Sequence, residues 1–199
     1  MLADALRRQP LGPQTRVLDL CTGSGALAVT AAKAGAGEVV AADVSRRALL
    51  TVRCNAALNG VRIRTVRGDL FDAVGDDRFD VIVSNPPYVP DASGELPTGG
   101  ARRAWDAGSD GRAFLDRVCG DAADHLLPGG TILLVHSSVC DQERTLRMLC
   151  ERGLRVAVLS RRRGPLGPLL SARAPDLEAE GLLAPGERTE EVLVVAGRA

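Results

Sequence analysis

Aromatic side chains are nearly absent from this chain. Phe, Tyr and Trp make up 3% of 199 residues, with a single Trp and a single Tyr, too few to build a stacking platform for single-stranded nucleic acid. Net charge is missing as well: 25 basic and 25 acidic side chains cancel, so no overall field draws in a polyanion. Lys33 is the only lysine, and the rest of the basic side is arginine. No apolar run reaches membrane length and no signal peptide opens the sequence. The five cysteines, Cys21, Cys54, Cys119, Cys140 and Cys150, form no C-x-x-C pair. An odd, irregularly spaced set argues against a disulfide framework or a zinc site and fits reduced thiols in a cytoplasmic protein.

What is present suits one α/β domain spanning residues 1–199, opened by a short amphipathic helix over 1–9 with no separate recognition domain. Apolar strands are expected at Arg16–Leu20, Glu38–Ala42, Arg62–Val66, Phe79–Ser84, Thr131–Val135, Leu154–Leu159 and Val192–Val195. Helices are expected after the first glycines to about Lys33 and from an N-cap at Ser45 to Asn59-Gly60. Another begins at a cap on Asp110, carries Leu115, Val118, Ala122 and Leu126 on one face, and stops at Pro128. A further helix covers Asp141–Arg152, with a short one near Ala174–Leu183. Strands alternating with helices imply a mostly parallel seven-stranded sheet covered on both faces. The last two strands lack a crossover helix, so they are expected to pair antiparallel at one edge. Pro90–Asp110 reads as a long loop, and loops of that length inside a compact domain usually carry function.

Two stretches carry the chemistry. Leu18-Asp19-Leu20-Cys21-Thr22-Gly23-Ser24-Gly25-Ala26-Leu27-Ala28 is a strand, a glycine turn and a helix start. Gly23, Gly25 and Ala28 match G-x-G-x-x-G/A, and Asp43 closes the next strand, where a carboxylate can accept from both hydroxyls of a ribose. A dinucleotide and S-adenosylmethionine share that geometry. Gly68-Asp69-Leu70 after the third strand favours the latter, with Asp69 accepting from an adenine amine and Leu70 covering the ring; a turn aspartate beside core residues explains it equally well. The second stretch is Asn85-Pro86-Pro87-Tyr88, at the end of the apolar run Phe79–Ser84. An Asn before Pro is pushed to extended backbone, and two prolines remove two N–H donors, so the strand must stop. An amide side chain and free carbonyl oxygens remain, a set of acceptors suited to an –NH2 group.

In order and spacing, these motifs resemble the Rossmann-like class I methyltransferases, and among them the HemK-type (PrmC-like) protein glutamine N-methyltransferases. Arg103-Ala104-Trp105-Asp106-Ala107-Gly108-Ser109-Asp110-Gly111 is similar to that family's Asp-Gly stretch before the next helix, although Trp105 replaces a smaller apolar residue. The larger members carry an N-terminal helical domain, so the chain resembles the short, single-domain branch. The resemblance implies S-adenosylmethionine held by Asp19, Cys21, Thr22, Gly23, Ser24, Gly25, Ala26, Asp43, Val44, Asp69, Leu70 and Asn85. It implies catalysis by Asn85, Pro86, Pro87 and Tyr88 on a release-factor glutamine, and a small zinc-binding activator as a partner of some relatives.

Under that reading the Asn85 oxygen and the Pro86 carbonyl each accept one amide N–H, aiming the nitrogen lone pair at the methyl group while Tyr88 covers the planar group. No base is needed, and His136 is read as a structural histidine. Asn-Pro-Pro-Tyr also serves adenine amino-methyltransferases, for which Arg161-Arg162-Arg163, Arg102-Arg103 and Arg62/Arg64/Arg67 would have to supply a phosphate path. A small-molecule amine is a third acceptor class, and a non-catalytic scaffold a fourth reading. The segment Gly164–Leu170 reads either as a substrate wall or as an ordinary loop.

Overall fold

The structure, a computed structural model, describes all 199 residues. Its seven strands are β1 (Arg16–Leu20), β2 (Glu38–Asp43), β3 (Arg64–Arg67), β4 (Phe79–Ser84), β5 (Leu126–Ser137), β6 (Arg155–Pro165) and β7 (Thr189–Arg198). They form one sheet in the order β3-β2-β1-β4-β5-β7-β6. The first five are parallel, and β7 runs antiparallel to both β5 and β6. The antiparallel pair expected at one edge is present, with β7 on the inside and β6 outermost.

Seven helices complete the fold: α1 (Leu2–Arg7), α2 (Ala26–Lys33), α3 (Arg46–Leu58), α4 (Ala113–Asp121), α5 (Gln142–Glu151), α6 (Pro168–Ala172) and α7 (Ala174–Ala179). Successive strand side chains point to opposite faces, and this alternation sorts the core. Leu18, Val40, Ile82, Ile132 and Leu193 face Leu115 and Val118 of α4 and Leu149 of α5. Val17, Val39, Val81, Leu133 and Val194 face Leu6 of α1, Ala28 of α2 and Val52 of α3. The near-continuous apolar strands follow from burial on both sides.

Two boundaries differ from expectation. The helix expected from Asp110 starts at Ala113 and ends at Asp121, followed by a 3-10 turn over Ala122–His125. Leu126 already belongs to β5, paired with Phe79, and the register then shifts so that Val81 pairs with Thr131. Pro128-Gly129-Gly130 is thus an excursion within the strand rather than a helix stop. A Cβ on Gly130 would sit 2.8 Å from the Leu127 carbonyl and 3.0 Å from that of Phe79. Gly164 and Pro165 continue β6, and Pro168 opens α6, which settles that stretch as strand end and helix start.

The chain runs outward from β1 through β2 to β3, then returns to place β4 on the other side of β1. Ligands of open α/β sheets bind beyond the carboxyl ends of strands at such a switch point. Here β1 delivers the glycine turn and β4 delivers Asn85-Pro86-Pro87-Tyr88.

Candidate active site

At the switch point the two motifs leave neighbouring strands level in register. Leu20 pairs with Ser84, and the buried Ser84 hydroxyl donates to the Leu20 carbonyl at 2.8 Å. Above them opens a cleft of about 830 Å³. It is lined by Cys21, Thr22, Gly23, Ser24 and Ala26 of the glycine turn, by Asp43, Val44, Asp69 and Leu70, and by Asn85 and Pro87.

The glycine turn is held from below and from the side by two carboxylates. Asp19 is fully buried; its Oδ2 accepts from the Thr22 hydroxyl at 2.6 Å and from the Ala28 N–H at 2.9 Å. Its Oδ1 is buried without a partner, and burial pushes its pKa up to about 7. Asp43 receives the Gly23 N–H on Oδ2 at 2.9 Å and the Ser45 N–H on Oδ1 at 2.8 Å. Each Asp43 oxygen keeps a second lone pair. The backbone is left-handed at Cys21 (φ 59°), Gly23 (φ 54°), Gly25 (φ 80°) and Leu70 (φ 49°). Two of these are not glycine, a cost of order 1–3 kcal/mol each that recurs at functional sites.

The two glycines work differently. A Cβ on Gly23 would meet no protein atom within 4 Å, so the space above it is open to a ligand. A Cβ on Gly25 would lie 2.9 Å from Val52 Cγ2, so Gly25 lets α2 pack on α3. Asp69 is paired with Arg117 at 2.8 Å, both half-exposed. Leu70 is buried and shares the cleft wall with Phe114 from α4.

On the other side Asn85 is exposed, and its side chain has no hydrogen-bond partner within the protein. The carbonyls of Asn85, Pro86 and Pro87 accept no backbone N–H. The acceptors anticipated at the strand end are therefore unspent. Two expected members sit elsewhere. Pro86 is buried, and the Tyr88 ring packs against the core rather than lining the cleft, its hydroxyl pushed up to about 12 chiefly by burial. The Tyr88 carbonyl accepts from Cys140 Sγ at 2.9 Å. A Cβ on Gly111 (φ +72°) would lie 2.5 Å from that same oxygen. Cys140 is fixed in turn by Arg112, a fully buried guanidinium that donates to the Cys140 carbonyl, to the Asp141 carbonyl at 2.8 Å and to Asp116 at 2.8 Å. His136 is buried with Nδ1 against the Ser137 carbonyl and Nε2 unpartnered. Burial, aided by Arg112, lowers its pKa to about 4, so it is neutral at ordinary pH.

The loop after Tyr88 contributes a wall that motif reading missed. Gly99, Gly100, Ala101, Arg103 and Ala104 line the cleft, with a 3-10 turn at Ala101–Ala104. Ser84, a polar residue closing an otherwise apolar strand, was a usable signal in the sequence; Phe114 and Cys140 carried none.

The profile of the methyltransferase small domain family matches residues 1–98. A protein of Methanocaldococcus jannaschii named as a protein N5-glutamine methyltransferase is 34% identical over 158 residues, covering 79% of this chain and 80% of that one. The release factor glutamine methyltransferase of Bordetella pertussis is 44% identical over 147 residues, 70% of this chain and 54% of that one. The chain thus spans about half the length of that larger relative. Among solved structures, the E. cuniculi Mtq2–Trm112 complex, responsible for methylating the eRF1 translation termination factor, superposes with a TM-score of 0.65 at 27% identity, over 99% of this chain and 92% of that one.

Proposed function

The chain belongs to the HemK-type family of protein glutamine N-methyltransferases, and on that premise we propose that it methylates the side-chain amide of a glutamine in a release-factor-type protein. The methyl donor is S-adenosylmethionine, which when bound supplies an electrophilic methyl group on a sulfonium. Three features fit it: the open space above Gly23, the lone pairs left on Asp43, and the unpartnered Asp19 Oδ1 beneath the turn. The turn Cys21–Ala26 and Val44 bind the donor, Asp43 takes the ribose hydroxyls, and Asp69 and Leu70, joined by Phe114, hold the adenine.

The single observation that carries the acceptor reading is the unspent acceptors of Asn85 and Pro87, which line the cleft with the glycine turn. A carboxamide nitrogen is a poor nucleophile because its lone pair is delocalised. Asn85 Oδ1 and the Pro86 carbonyl each accept one of its N–H groups, which orients the nitrogen and stabilises the positive charge that develops there. Tyr88 acts through its backbone, clamped by Cys140, to hold this strand end in place.

The arginine clusters weaken the nucleic-acid alternative. Arg161 is paired with Glu191, Arg102 with Asp91 and Asp106, and Arg64 with Glu38 and Asp77. One guanidinium of each cluster is thus already neutralised within the protein, which shortens any phosphate path. No helix is long and apolar enough to cross a membrane; with five free thiols, a cytoplasmic location suits the assigned substrate. The E. cuniculi relative is solved with a small partner, and a small zinc-binding activator protein is proposed here as well.

The test is a methyl-transfer assay on a release factor bearing a Gly-Gly-Gln motif, its Gln→Ala variant and an adenine-containing oligonucleotide. Labelling of the first alone is expected. Equal labelling of both release-factor forms would defeat the glutamine assignment, and labelling of the oligonucleotide alone would transfer it to adenine.

A further inference from the structure

The segment 91–105 leaves the Asn85-Pro86-Pro87-Tyr88 strand end, forms part of the cleft wall and returns to α4. Its two feet lie side by side. The Val89 N–H donates to the Trp105 carbonyl at 2.7 Å, the Ala107 N–H to the Val89 carbonyl at 3.0 Å, and the Asp91 N–H to the Gly108 carbonyl at 2.9 Å. Each foot carries a carboxylate: Asp91 is largely buried and Asp106 completely so. A buried carboxylate is costly unless paired.

The partner comes from far along the chain. Arg173, at the junction of α6 and α7, places Nη2 2.7 Å from Asp106 Oδ1 and 3.5 Å from Asp91 Oδ2. Its Nη1 donates to the Pro90 carbonyl at 2.7 Å. Arg102, inside the segment, bridges the same two carboxylates, so two guanidiniums and two carboxylates alternate and their charges cancel. The α6–α7 insertion is seated beside them by an apolar cluster of its own: Leu166, Leu170, Ala174, Leu177 and Leu183 pack on Val89, with Trp105 against its margin.

We propose that Arg173 is a positioning residue for the acceptor side, clamping both feet of the 91–105 segment so that the Gly99–Ala104 wall stands in the cleft. The α6–α7 insertion is then part of the acceptor site although none of its residues lines the cleft. This rests on the reading of that cleft as a glutamine methyl-transfer site. The donor-binding residues touch neither Arg173 nor its carboxylates, so the clamp acts on acceptor binding alone.

Trp105, the only tryptophan, abuts the clamp and reports on it. In the full chain, Arg173→Met keeps the aliphatic stem and removes the charge, while Arg173→Lys restores a cation. For R173M the expected result is an acceptor KM raised about tenfold with kcat and S-adenosylmethionine affinity changed less than about twofold. Acrylamide quenching of Trp105 should rise in parallel, and R173K should recover part of both effects. An unchanged acceptor KM in folded R173M overturns the proposal, as does a donor affinity that weakens in step with KM. Should R173M fail to fold, D91N removes the less buried carboxylate of the cluster and must show the same split. If the wild-type chain labels no glutamine acceptor, the functional reading falls, and Trp105 quenching alone decides the clamp: no increase in R173M overturns it.

Discussion

The donor side and the acceptor side of the cleft leave adjacent strands, yet they are built in different ways. The glycine-turn and ribose part of the donor side is local. Asp19, the glycine turn and Asp43 come from one β-α-β unit, and Thr22, Gly23, Ser45 and Ala28 bond to carboxylates at most 20 residues away. The acceptor side is assembled from distant pieces. Cys140 reaches Tyr88 across 52 residues and Arg173 reaches Pro90 across 83. A local unit keeps one ligand geometry with little help from the rest of the fold. A remote assembly can be retuned from outside, which suits the side that must recognise a variable substrate.

The largest separation of the two sides is expected from Asn85→Ala. Removing the side-chain acceptor should lower kcat by on the order of 10²–10³, while calorimetry finds S-adenosylmethionine bound as in the wild type. Asp43→Ala should do the converse, weakening donor affinity by about 10–100-fold through loss of charge-assisted bonds and of the Gly23 anchor. Gly111→Ala should be the most damaging single methyl group on the acceptor side. At φ +72° with the Tyr88 carbonyl 2.5 Å from the new Cβ, it should cost roughly 2–4 kcal/mol in denaturant unfolding.

The smallest expected effects are opposite pH slopes from two buried groups, one beneath the donor turn and one within β5. The Asp19 carboxyl is raised from 3.8 to about 7. Across that window the folded chain holds a proton that the unfolded chain has released, so stability falls as pH rises. The His136 ring is lowered from 6.5 to about 4. There the unfolded chain takes a proton that the folded chain refuses, so stability falls as pH drops below 6.5. Each slope is at most roughly 1.4 kcal/mol per pH unit, and they oppose each other where the windows overlap. Urea unfolding against pH should show Asp19→Asn losing stability as pH drops below 6.5, where the Asp19 slope no longer offsets that of His136, and His136→Gln losing stability as pH rises from about 4 to about 7. Parallel curves for all three proteins would mean that neither group titrates as its burial requires.

Legibility in the sequence follows the same division. The glycine turn, Asp43 and Asn85-Pro86-Pro87-Tyr88 were readable because each depends on its own few residues: positive φ, a strand-end carboxylate, two missing N–H groups. Five of the seven strands were placed within three residues for the same reason, while β6 runs six residues past its expected end. The start of β5 was misread because Leu126 continues the apolar face of α4, and only pairing with Phe79 makes it strand. Tyr88 was assigned to cover the acceptor, but its ring is drawn into the core by Leu- and Cys-rich surroundings that no local pattern announces. Arg173 was invisible altogether. Nothing near it in sequence shows that Asp91 and Asp106 need its charge.

The most direct test of two separable sides is turnover at saturating S-adenosylmethionine for Asp43→Ala and Asn85→Ala, measured side by side on the Gly-Gly-Gln release factor. Excess donor should bring Asp43→Ala back to within about threefold of the wild-type rate, because uniform binding energy lost from the donor side is recoverable by concentration. Asn85→Ala should stay inactive at every donor concentration. An Asp43→Ala enzyme that remains inactive at saturation, or an Asn85→Ala enzyme that turns over normally, would contradict the account.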